Sequence, residues 1–112
     1  MQFFIDEKQR KSSHSTCYLE FQKGHFSGEF WLDDSINISG DLWDRYHLSG
    51  TFTSVIKGFD YYGITEVTQK QWEKVIVHCR EFNPIGYDVL KEAEPWVSEC
   101  FKEHDVFTIA GL

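Results

Sequence analysis

Hydrophobic and polar positions alternate along the chain as far as Glu66, then switch to a helical spacing. Ser15–Gln22 sets Cys17, Leu19 and Phe21 on one face. His25–Leu32 sets Phe26, Phe30 and Leu32 on one face and Ser27, Glu29 and Trp31 on the other. Lys23-Gly24 lies between these segments, and glycine takes positive φ freely, so the pattern predicts a β-hairpin with a two-residue turn. Thr51–Ile56 and Phe59–Thr65 flank Lys57-Gly58 in the same way, predicting a second hairpin rich in β-branched and aromatic residues. Asp33–Gly50 joins the two. Its Ser, Asn, Gly and Asp content predicts an irregular connection, with a short strand at Ile36 and Ile38 and a helical turn near Leu42–Tyr46.

From Val67 the signals are helical. Thr68 and Gln71 have the spacing of a capping box, and Val67 with Trp72 that of a hydrophobic staple. Trp72, Val75, Ile76, Cys79 and Phe82 then form one stripe, which Asn83-Pro84 ends. A second stripe runs through Leu90, Ala93, Trp96, Val97, Cys100 and Phe101. Pro95 falls within it, so either one kinked helix spans Tyr87–Glu103 or a new helix begins at Pro95. Val106–Ala110 alternates again and reads as a closing strand, and Phe3–Ile5 as another. The expectation is one α+β domain over residues 1–112. It would hold a mostly antiparallel sheet of two or more hairpins, two C-terminal helices packed on one face, and a final strand. Trp72, Ile76, Trp96 and Cys100 should meet the apolar face of the sheet.

Composition narrows the function. The chain has 112 residues, 11 basic and 18 acidic, for a net charge of −7. Phosphate recognition uses Lys and Arg, so this balance argues against nucleic acid and points to a basic partner. The N-terminal apolar stretch stops at Asp6, short of a secretory signal, and no apolar run approaches the ~20 residues of a membrane span. A cytoplasmic location is expected. Cys17, Cys79 and Cys100 lack CxxC spacing and read as buried thiols of a reducing compartment.

No motif of an enzyme or cofactor site stands out, and none is expected. Cys100 and His104 are four apart, but zinc needs further ligands at matching spacing, so they read as a packed thiol and a helix-terminal histidine. A Cys–His nucleophile needs an electropositive setting, which none of the three cysteines has in sequence. Asp33-Asp34, Asp41 with Asp44, and Glu92 with Glu94 read as surface carboxylates. The informative cluster is Glu29–Asp44. Glu29, Asp33, Asp34, Asp41 and Asp44 gather there with Trp31 and Trp43, and no Lys or Arg intervenes before Arg45. Aromatic anchors ringed by acids suit a basic protein surface, because rings supply contact area and carboxylates supply steering. Those seven residues are the expected contact patch. The alternative is a small ligand-binding or enzymatic domain, with a pocket between sheet and helices lined by Tyr61, Tyr62 and His78.

The C-terminal half carries a resemblance. Ile64-Thr65-Glu66-Val67-Thr68-Gln69-Lys70-Gln71-Trp72-Glu73, Glu94-Pro95-Trp96-Val97, Cys100-Phe101-Lys102-Glu103-His104-Asp105 and Phe107-Thr108-Ile109-Ala110-Gly111 resemble a pattern in small bacterial immunity proteins. These accompany polymorphic toxins, including those of contact-dependent growth inhibition. The resemblance implies a cytoplasmic, non-enzymatic protein that binds and blocks a cognate toxin domain, many of which are nucleases with basic clefts. It assigns no inhibitory residue to this chain.

Overall fold

The computed structural model describes residues 1–112. Strand β1 (Phe4–Asp6) runs into helix α1 (Glu7–Ser12), followed by β2 (Tyr18–Lys23), β3 (Ile36–Ser39), α2 (Gly40–Arg45) and α3 (Leu48–Val55). Then come β4 (Ile64–Thr68), α4 (Gln69–Phe82), α5 (Pro84–Phe101) and β5 (Val106–Ala110). The five strands form one sheet in the order β1-β3-β2-β5-β4, every pair antiparallel. The α+β class, the paired helices of the C-terminal half and the closing strand are as the periodicity predicts.

Neither expected hairpin forms. β2 stops at Lys23, and Gly24–Ser35 contains no strand. Its alternation is interrupted by backbone in the left-handed region, at Gly28 (φ 94°) and Trp31 (φ 61°), which an extended ladder cannot accommodate. Thr51–Ile56 lies mostly within α3 rather than a strand. Leu48, Thr51, Phe52 and Val55 have helical spacing. Burial of Phe52 against Trp43, Phe59 and Trp72 outweighs the β preference of the threonines and valine. Of Phe59–Thr65, only Ile64 and Thr65 are in a strand.

The helical signals hold in detail. Thr68 Oγ1 accepts from Gln71 N at 3.2 Å and Gln71 Oε1 from Thr68 N at 2.9 Å, completing the capping box of α4. Asn83 closes α4 and opens α5, its Oδ1 accepting from Gly86 N at 3.2 Å while Pro84 takes the first turn. α5 continues through Pro95 as one helix. No helix is long and apolar enough to cross a membrane.

One sheet face meets the helices through a core cluster of 21 buried residues. Phe4, Ile38 and Leu19 lie side by side there, as do Phe21 and Ile109. Phe21 is the hub, its ring against those of Phe4, Trp43, Trp96 and Phe107. The opposite face carries Glu20, Gln22, Asn37 and Thr108, polar side chains that are nonetheless buried. Segment Gly24–Ser35 covers them as a strap. Thr108 Oγ1 donates to Gly24 O at 2.8 Å, and Gly24 (φ 77°) leaves room for the His104 ring, which a Cβ would strike.

Cys79 and Cys100 are buried, and burial pushes both thiols up. Cys17 is exposed just ahead of β2, contrary to the expectation of three buried thiols. In native protein only Cys17 is expected to react promptly with a thiol reagent at pH 8, the others following on unfolding. Prompt reaction of a second thiol would contradict the packing.

Candidate partner-binding surface

The acidic cluster of residues 29–44 folds into two separate places, because β3 runs between its halves and spans roughly 10 Å. At one end is α2, whose N-cap Ser39 accepts from Leu42 N at 3.2 Å. A helix this short has one buried side, and Trp43 occupies it. Asp41 and Asp44 are exposed. Trp43 is 0% exposed, stacked on Phe52 and Phe59, with its Nε1 donating to Ser49 Oγ at 2.7 Å. It is a core residue and cannot belong to a contact patch, a correction to the sequence reading.

Asp41 and Asp44 border a cleft of about 500 Å³ that also involves Ser15, Cys17, Tyr18, Ser39 and Tyr61. Tyr61 is held there by the end of the sheet. Gly111 N donates to Gly63 O at 2.7 Å and Leu112 N to Tyr61 O at 2.9 Å, an approach so close that a Cβ at Gly111 would run into the Tyr61 carbonyl. Tyr61 Oη donates to Asp44 Oδ2 at 3.3 Å. Burial, then the Asp44 charge, pushes the phenol up to about 12. The phenol therefore stays a neutral donor at physiological pH, and neither Asp41 nor Asp44 has a cationic partner within the chain.

This shift has a pH consequence. A tyrosine raised from 10.0 in the unfolded chain to about 12 in the fold gives its full stability contribution below pH 10. The contribution is lost as pH rises towards 12. Ultraviolet titration should show a late phenol that is absent in Tyr61→Phe, and stability of the variant should fall less steeply over that range. Identical titrations would contradict the assignment.

The other half of the cluster lies on and beside the strap. Glu29 is exposed, while its backbone carbonyl accepts from Gln22 Nε2 at 2.9 Å. Asp34 is exposed, and its carbonyl oxygen accepts from Trp96 Nε1 at 2.8 Å. Asp33 shares a groove with Lys8 and Lys11, so cations of α1 stand beside it. Trp31 is half-buried beneath the Arg10 guanidinium, 4.0 Å from its ring centroid. Arg10 in turn pairs with Glu7 at 2.7 Å, a hydrogen bond that raises its pKa further. Trp31 thus braces the strap rather than standing free.

The strap is fastened by Glu20. This buried carboxylate accepts from Trp31 N at 2.8 Å, Leu32 N at 2.7 Å, Ser35 Oγ at 2.7 Å and Gln22 Nε2 at 2.8 Å. Sequence reasoning missed both Glu20 and the joining of Tyr61 to Asp44. Glu20 occupies an ordinary polar position of an alternating strand, and no spacing shows that the segment after β2 folds back over it.

Tyr61, Tyr62 and His78 do not converge. The two tyrosine rings meet edge to face, 4.9 Å apart, while His78 lies beside Phe82 on α4. The space between sheet and helices is filled by the core. Glu92 is a structural carboxylate, accepting from the backbone N–H groups of Gln2, Phe3 and Phe4 at 2.7–2.8 Å. No group of His, Cys, Asp and Glu is arranged to hold a metal ion. Comparison with family models, with curated proteins and with solved structures finds no match to this chain.

Proposed function

We propose that this protein is a cytoplasmic immunity protein that neutralises a cognate toxin domain by covering its basic surface. The observation that carries this reading is the α2 cleft, where Asp41 and Asp44 stand exposed and unpaired beside Tyr61. Two carboxylates without internal cations suit a Lys or Arg side chain from a partner, and the cleft volume of about 500 Å³ admits one. Tyr61 orients Asp44 and, as a phenol, adds apolar area beside the charge. The exposed Glu29 and Asp34 add to the negative field that steers a cationic partner, most strongly at low salt, while Asp33 is offset by Lys8 and Lys11. A nuclease active site is such a partner, because it must be basic to hold its own substrate.

The test is co-expression with the protein encoded by the adjacent reading frame. Protection of the host from that protein is expected. Reversing both acids in Asp41→Lys with Asp44→Lys should slow association by roughly tenfold or more, with circular dichroism checking that the fold persists without the Tyr61 contact to Asp44. Unaltered protection and association by the double variant would place the contact elsewhere.

A further inference from the structure

A separate face of the molecule carries an apolar surface with an ordered set of charges. On α4, Lys70, Glu73, Lys74, Val77, His78 and Glu81 recur at the three- and four-residue spacing that places side chains on one side of a helix. Together with Val55 and Phe82 they line one groove of about 530 Å³. The apolar residues here are unusually open. Val77 is 52% exposed and Phe82 68%, and Ile85 on the first turn of α5 is 54% exposed. None of Lys70, Glu73, Lys74 or Glu81 forms an ion pair within the chain.

The outer charges of this face, Lys70 and Glu81, are self-complementary. If a second α4 lies antiparallel across the first, with a two-fold axis passing between Lys74 and Val77, Lys70 meets Glu81 of the other copy and Glu73 meets its His78. The two-fold repeats both pairs, and Val77 falls near the centre with the Lys74 stem over it. A parallel arrangement would set Lys70 beside Lys70 and lose the match.

We propose that the α4 face is the interface of a two-fold homodimer, packed through Val77 and Phe82 and set in register by Lys70 and Glu81. The face covers about 16 Å of helix, so the interface is at the small end of specific contacts and the dimer is a weak one. The proposal does not depend on the α2 cleft or on any toxin, and its test uses the purified protein alone.

Sedimentation equilibrium in low salt, up to about 100 μM as a small interface requires, should show the mass rising from 13.2 kDa towards twice that value. Lys70→Glu alone sets four acids in opposition across the two-fold, and Glu81→Lys alone sets four bases in opposition. Each should weaken dimerisation roughly tenfold. An equimolar mixture of the two single variants restores both pairs in a mixed dimer, and so does the double variant with itself. Both sites are exposed on the helix surface, and circular dichroism checks that the fold persists. A mass fixed at 13.2 kDa throughout would overturn the proposal and leave the face to another protein. So would dimerisation indifferent to either reversal, or a mixture that fails to recover it.

Discussion

Replacing Glu20 with alanine is expected to lower the unfolding free energy by about 4 kcal/mol, among the largest effects open to a single polar residue in this chain. The side chain is 0% exposed, and its two oxygens take four donors, two of them backbone N–H groups of the strap. Hydrogen bonds to a charged acceptor contribute about 1.5–3 kcal/mol each, but the loss is not their sum, because a released strap regains water and chain entropy. What remains is the penalty for donors that stay buried and the surface that opens when they do not. Trp31 is held in the left-handed region by these contacts, and that conformation costs a bulky residue about 1–3 kcal/mol. Freeing it should return that strain, so the strap should open before the rest of the fold. Urea denaturation gives the total, and hydrogen exchange at Trp31 and Leu32 N–H should show local opening. Glu20→Gln, which keeps the shape but turns two acceptor sites into donors, should fall between alanine and wild type. A loss below about 1 kcal/mol for Glu20→Ala would mean that Glu20 does not fasten the strap.

Trp43→Ala is expected to cost about 3–5 kcal/mol, the range for truncating a buried aromatic. Its ring packs against those of Phe52 and Phe59, which also meet each other, and reaches Phe21, so the hole would lie where α2, α3 and the sheet meet. Ser49 would also lose the donor to its Oγ. The half-buried Trp31 gives a contrast within one experiment. Trp31→Ala loses the stacking on Arg10, worth about 1 kcal/mol, and some strap packing, and should be much the milder change. Equal losses at the two positions would mean that Trp43 is not the core residue it is placed as.

How much of this was open to sequence reasoning depended on how local the cause was. The α4 boundaries follow from Thr68, Gln71 and Asn83, whose caps act within three residues, and these were legible. Likewise β5 and the short β3 declare themselves by alternation. The hairpins failed because strand pairing is non-local. β2 pairs with β5 from the far end of the chain, and with β3 only after the strap that follows Lys23-Gly24 in place of a tight turn. In α3 the helical spacing of Leu48, Thr51, Phe52 and Val55 was present, but the β-branched composition pointed the other way. Of the contact patch, the acids were read correctly as exposed, since solvating a carboxylate is a local preference. Trp43 could not be placed, because a ring beside acids on a short helix can turn either way until its neighbours are known. Tyr61 reaches Asp44 only through the pairing of Gly63 with Gly111, which no spacing along the chain reveals.

The central claim is that the exposed acids at the α2 cleft recognise a basic protein. It is tested most directly by measuring association of the purified protein with the protein encoded in the adjacent reading frame, at low and at high salt. The expected result is tight binding, with an association rate that falls steeply as salt rises and falls again, roughly tenfold, in the Asp41→Lys, Asp44→Lys variant. No association at micromolar concentration in low salt would contradict it.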